Sequence, residues 1–291
     1  MAKQLWQLVA ANQAEELVRE LQIDALPVLP IEVAGELGIL VEAMPASDSP
    51  GVSGMLLRYG SQFGILYSTT IDSIGFQNFS IGHEIGHYRI PGHPESVLKD
   101  GVHASRAGFH AKDRYELEAD HFSAALLMPS FLFDPALDKA GEGLDAVLAL
   151  SEQCQTSLPA TAIRYAQRSP GATAIIISRG KQIDYCFMSD AVREVQGLEW
   201  LKKGMLLPQA SATRCLNEDC SNVKNGARMA EDGELQDWFG GRLQADIYEE
   251  AIGLGSYGRT LTVLSTQDLP DPEELEAEKE LQESWTPHFR R

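Results

Sequence analysis

Two histidines four residues apart enclose a glutamate in His83-Glu84-Ile85-Gly86-His87. On a helix, residues four apart stack one turn apart on the same face, so both imidazoles can reach a single metal ion. Zinc accepts two such nitrogens at about 2.0–2.1 Å and takes a third protein ligand, leaving a fourth position for water. Bound zinc draws the pKa of that water toward about 7. Glu84, next to the first histidine, is placed to take the water's proton as a general base without binding the ion. The pattern therefore reads as metal-assisted hydrolysis of a peptide bond. Zn2+ is the ion this donor set first suggests, although two imidazoles and a carboxylate also suit Mn2+, iron or cobalt.

The flanking residues add two requirements. Gly82 and Gly86 sit inside the same expected helix, where each costs about 1 kcal/mol relative to alanine. Glycines kept at that cost imply another backbone packed closely beside the histidines. The third ligand must come from elsewhere, and the helix starting at Asp113 offers Glu116, Glu118, Asp120 and His121. At about 100° per residue, Tyr115, Ala119, Phe122, Ser123, Leu126 and Leu127 fall on one arc. Glu116 and Asp120 lie at its edge, one turn apart, while Glu118 and His121 point away from its centre. A carboxylate aligned with a buried face needs a partner, and a metal supplies one. Glu116 is thus the expected third ligand, with Asp120 accepting a hydrogen bond from the distal nitrogen of His83 or His87. The competing use of Glu116 is local: Asp113-x-x-Glu116 also has the spacing of a capping box.

Two segments carry a family resemblance, Phe79-Ser80-Ile81-Gly82-His83-Glu84-Ile85-Gly86-His87-Tyr88 and Glu116-Leu117-Glu118-Ala119-Asp120-His121-Phe122-Ser123-Ala124-Ala125-Leu126-Leu127-Met128-Pro129. Together with Gly51-Val52-Ser53-Gly54 upstream, they resemble the ImmA/IrrE family of zinc metallopeptidases, gluzincin-like enzymes that cleave helix-turn-helix repressors. The resemblance spans roughly residues 10 to 168. It implies Glu116 as third ligand, and a helix-turn-helix repressor or antitoxin as substrate. Some members carry a GAF-like sensor domain at the C-terminus, and residues 171–267 could be one by analogy of layout.

The elements that must position these residues read as α+β. Helices are expected over Gln13–Leu21 and Pro30–Leu37, then short strands at Ile39–Val41, Gly54–Tyr59 and Phe63–Tyr67. The motif helix runs from about Ser73 to Ile90 and stops at Pro91-Gly92. A polar loop follows through His93, His103 and His110; any of these, or Tyr88 or Tyr115, could face a developing oxyanion, and spacing does not choose among them. Past the Asp113 helix, Asp145–Gln153 and Pro159–Arg168 are helical, with a turn at Gln155-Thr156-Ser157. Hairpin strands at Ala172–Ser178 and Gln182–Met188 follow the Ser169-Pro170-Gly171 break, and Asp246–Ile252 and Thr260–Ser265 supply further strands. The expected division is a metallopeptidase domain over 1–130 built as a gluzincin-like set of helices around a short sheet. A helix-turn-helix-like segment over 131–170, a regulatory or docking α+β domain over 171–267 and an acidic tail over 268–291 complete it.

The charge excludes some partners. Formal net charge is −18 over 291 residues, a surface that repels nucleic acid and anionic membranes. Part of the excess lies between Asp268 and Glu283, where eight carboxylates meet one lysine. The second helix of the helix-turn-helix-like segment offers only Arg164 and Arg168 as cations, and DNA binding needs several phosphate contacts. Structural support or protein docking is the better reading of it. Cys154, Cys186, Cys215 and Cys220 are too sparse for a disulfide framework. No apolar run at the start matches a signal peptide and none is long enough for a membrane span, so a reduced, cytoplasmic protein is expected. The function expected is a metal-dependent endopeptidase acting on a cytoplasmic regulator. Its alternative is a metal-bound regulator that binds DNA or a repressor without cutting; the intact Glu84 speaks for the enzyme.

Overall fold

The computed structural model describes residues 2–45, 51–106, 113–241, 245–267 and 269. His110 and, apart from Leu269, the expected tail over 268–291 lie outside them. The chain is mixed α+β and divides into two compact units, Met1–Arg164 and Tyr165–Arg291. The division falls inside the helix Leu158–Arg168, a few residues before the expected break at Ser169.

The first unit opens with α1 (Ala2–Glu20), α2 (Pro30–Glu36) and three strands, β1 (Leu40–Met44), β2 (Val52–Tyr59) and β3 (Gln62–Ser68). α1 begins well before the expected Gln13, and its C-terminal half buries Ala14, Leu17 and Val18. The motif helix α3 covers Ile74–Arg89, and Ser73 caps it by accepting from the Phe76 N–H. The loop expected after it is partly ordered into α4 (His93–Val97) and β4 (Val102–Arg106). α5 (Arg114–Leu127), α6 (Ser130–Ala140), α7 (Gly143–Cys154) and α8 (Leu158–Arg168) follow. Sheet order is β1-β3-β2-β4; β1 runs parallel to β3 and the other pairs are antiparallel.

This sheet and helices α1, α2, α3 and α5 share one core, in which Leu17, Leu56, Ile65, Ile81, Ile85, Phe122 and Leu126 are buried. Each such side chain contributes about 1.5–3 kcal/mol of burial, enough collectively to fix α3 against α5. The closeness of that pair depends on the two motif glycines. A Cβ on Gly82 would stand 2.6 Å from Ser123 Oγ, and one on Gly86 3.2 Å from Ala119 Cα. The expected close backbone beside the histidines is therefore α5. At the other end of α3, the Asn78 amide donates to the Gln155 carbonyl at 3.0 Å, and Gly75 lies against the Thr156-Ser157 backbone. The turn between α7 and α8 is thus docked on the motif helix. Arg164 is engaged inside the unit, donating to the Met128 carbonyl at 2.8 and 3.1 Å and standing 3.6 Å from Glu15.

The second unit contains a five-stranded antiparallel sheet, β5 (Ala172–Arg179), β6 (Gln182–Met188), β7 (Arg228–Glu234), β8 (Asp246–Gly253) and β9 (Thr260–Thr266). Its order is β6-β5-β9-β8-β7. Short helices α9 (Asp190–Arg193), α10 (Ala212–Glu218), α11 (Cys220–Lys224) and α12 (Leu235–Phe239) complete it. β5, between β6 and β9, is buried on both faces, which explains its continuous Ala-Ile-Ile-Ile run. Beneath α10, buried Glu249 accepts from the Thr213 N–H and hydroxyl, both at 2.6 Å, and Thr213 bonds Thr262. All four cysteines are free.

Candidate metal centre

α3 places His83 and His87 one turn apart, and α5 crosses it to bring Glu116 to the same point. His83 Nε2 stands 3.0 Å from His87 Nε2 and 3.3 Å from Glu116 Oε2, and His87 Nε2 stands 3.4 Å from Glu116 Oε1. Three ligands at about 2.0–2.1 Å from one zinc ion, at tetrahedral angles, are about 3.3–3.4 Å apart. Each imidazole nitrogen stands at that spacing from a Glu116 oxygen, a different one for each, and these three residues form a metal-capable group among the described residues. Asp113 accepts from the Tyr115 N–H at 2.9 Å and so caps α5 without Glu116. The capping-box alternative is thereby settled: Glu116 is turned to the histidines.

Glu84 is fully buried, and neither carboxylate oxygen has a hydrogen-bond donor. β2 covers it at Gly54, where a Cβ would fall 2.7 Å from Glu84 Oε1. Gly54 therefore gives the carboxylate its space. Burial raises the Glu84 carboxyl above the ordinary range, against the pull of His83 and of the Ser105 hydroxyl, which stands near it without the geometry of a hydrogen bond. A buried carboxylate without donors is costly, and a cation with its water beside it would remove that cost.

Around this core, Asp120 Oδ1 lies 2.9 Å from His83 Nδ1, one of the two contacts expected for it. Burial alone would depress His83, but Asp120, Glu116 and Glu84 outweigh it and raise its pKa to about 10. Burial wins at His87, whose pKa falls to about 3 and whose ring is held neutral. Glu116 is opposed by burial, yet the imidazoles of His103, His83 and His87 hold its carboxyl far below the usual range. The cluster thus gathers two imidazoles and a carboxylate at one point, a donor set that suits a divalent cation.

Three residues that the sequence reading named take places that it did not assign them. Glu118 does not face solvent: it is buried, with Oε2 2.8 Å from His93 Nε2 and Oε1 accepting from Arg114 Nε at 2.7 Å. The arc argument failed because α4 packs on that side of α5, giving it a second buried face. His93 itself is buried, with Nδ1 3.2 Å from His87 Nδ1. His103, on β4, brings Nε2 to 3.0 Å from Glu116 Oε1, without the alignment of a hydrogen bond. The His-rich composition of 93–103 was the one available signal. Tyr88 packs edge-on to Phe63, 4.9 Å between centroids, and the Tyr115 hydroxyl accepts from Ser96 Oγ.

A family model for the IrrE N-terminal-like domain, a peptidase family, matches residues 34–164. In fold, the chain is similar to a Mycobacterium tuberculosis transcriptional regulator, with a TM-score of 0.55 at 12% identity, over 88% of this chain and 76% of that one. No curated protein matches. No described helix is long and apolar enough to cross a membrane.

Proposed function

With residues 34–164 belonging to the IrrE N-terminal-like peptidase family, we propose that this chain is a zinc-dependent endopeptidase that cuts a regulatory protein, a helix-turn-helix repressor or an antitoxin. The observation that carries the proposal is Glu84, a donor-free buried carboxylate beside three converging ligand side chains. A module that only binds has no use for a general base in that position.

His83, His87 and Glu116 would hold the ion. When bound, zinc supplies an acidified water and a Lewis acid for the scissile carbonyl. The rest belongs to the chain. Glu84, with its raised pKa, accepts the water's proton and can return it to the leaving amine. Gly54 leaves that side chain room, and the surrounding core excludes bulk water. His103 stands beside Glu116 on the outer strand β4, where its Nε2 can donate to a substrate carbonyl. The second unit carries none of these groups, and we assign it to regulation or docking of the substrate, in line with a sensor-like module.

The test is to incubate the purified chain with the regulator encoded beside its gene, with Zn2+ and with chelator, and to record intact masses. Two fragments appearing only with metal are expected. A stable complex whose masses stay intact would overturn cleavage in favour of a binding regulator.

A further inference from the structure

We propose that His93 and Glu118 form a positioning relay behind His87, fixing its tautomer and ring direction so that Nε2 presents a lone pair to the metal. The proposal rests on the reading of His87 as a metal ligand, not on peptide cleavage.

The hydrogen-bond directions leave one arrangement. A ligating His87 Nε2 carries no proton, so in the neutral ring Nδ1 carries it. That N–H faces His93 Nδ1 at 3.2 Å, which must accept. His93 Nε2 then carries its own proton and donates to Glu118 Oε2 at 2.8 Å. Glu118 can only accept, and its other oxygen takes the Arg114 Nε–H at 2.7 Å. Donor and acceptor alternate from the metal ligand to an arginine, with no additional proton and no unmet group. Reversing either ring would set two donors or two acceptors face to face.

The backbone explains why His93 is there. Gly92, at φ +86°, turns the chain back after α3, and the His93 N–H bonds the Ile90 carbonyl. His93 thereby lies beneath His87, and the Tyr115 ring packs edge-on against it at 4.9 Å between centroids. α5 then serves both faces of the histidine pair. Two residues along a helix is a rotation of roughly 200°, so Glu116 meets the ligand nitrogens while Glu118 reaches the rear through His93. Two residues further, Asp120 backs His83 directly. One helix thus supplies a ligand and both carboxylates that orient the imidazoles.

Groups that back a metal-bound histidine typically change affinity by about 10–100-fold when removed. The experiment uses the full chain with Zn2+ in competition with a chromophoric chelator, and Co2+ as a spectroscopic probe. His93→Ala and Glu118→Gln are each expected to weaken Zn2+ binding about 10–100-fold and to alter the Co2+ absorption bands. His93→Gln, which keeps an acceptor and a donor, should recover part of the affinity. In the zinc-loaded wild type, nitrogen-15 spectra should show His87 protonated at Nδ1 with a slowly exchanging N–H, lost in His93→Ala. Wild-type affinity and bands in folded His93→Ala and Glu118→Gln chains would overturn the relay while leaving the metal site intact. A wild-type chain that takes up no metal would overturn it together with the reading on which it rests.

Discussion

Among the described residues, each unit of this chain buries one glutamate whose carboxyl is raised by burial, Glu84 in the first and Glu249 in the second. Their surroundings are opposite. Glu249 accepts from a backbone N–H and a hydroxyl of Thr213, inside a network that continues to Thr262. Glu84 has no donor on either oxygen. Burial alone therefore does not mark a reactive carboxylate. The two differ in their hydrogen bonds: the carboxylate of Glu249 has its lone pairs committed to the fold, and that of Glu84 does not.

The largest expected effect comes from removing the free carboxylate. Glu84→Gln should reduce cleavage about a hundredfold or more, while zinc content by atomic spectrometry stays at the wild-type level. Retained cleavage would make Glu84 as structural as Glu249. Next, Glu249→Ala should leave zinc content unchanged but destabilise the chain by about 1–3 kcal/mol, through the unpaired Thr213 donors, as read by denaturant titration. Gly86→Ala tests the helix contact that delivers Glu116. Overpacking costs about 1–3 kcal/mol and helix propensity returns about 1, so Tm and zinc affinity should both fall modestly.

A smaller effect concerns pH. Glu249 has a folded-state pKa raised by burial, so folding favours its protonated form. Its stabilising contribution is fully present below the unfolded value of about 4.3 and is lost as pH rises through the folded one. Glu249→Gln should flatten that slope in stability measured across the acid range; an unchanged slope would assign it to other groups. The smallest effect is expected from ending the chain at Arg168, which should leave zinc stoichiometry at the full-length level. Loss of metal there would tie the second unit to the centre.

The legible part of the site was the part encoded by helical period. His83, Glu84 and His87 follow from spacing, and Glu116 and Asp120 from one turn of α5, because both helices are regular there. What stayed hidden depends on tertiary pairing. β4 reads Val-His-Ala-Ser-Arg, in which the apolar residues Val102 and Ala104 are the exposed ones; it exists through its ladder with β2, and that ladder positions His103. β7 is exposed along almost its whole length, so its sequence carries no apolar face to read. α6 holds Pro135 in its interior, a residue that disfavours helix, so composition alone does not mark this element. Glu118 was misplaced because the arc argument allows a helix one buried face, and α5 has two.

The missing methyl groups at Gly82 and Gly86 have one further effect. They set how near the axis of α5 comes to that of α3, and hence how far the Glu116 carboxylate stands from the two imidazoles. Two residues that touch none of the three side chains therefore fix where Glu116 stands relative to His83 and His87.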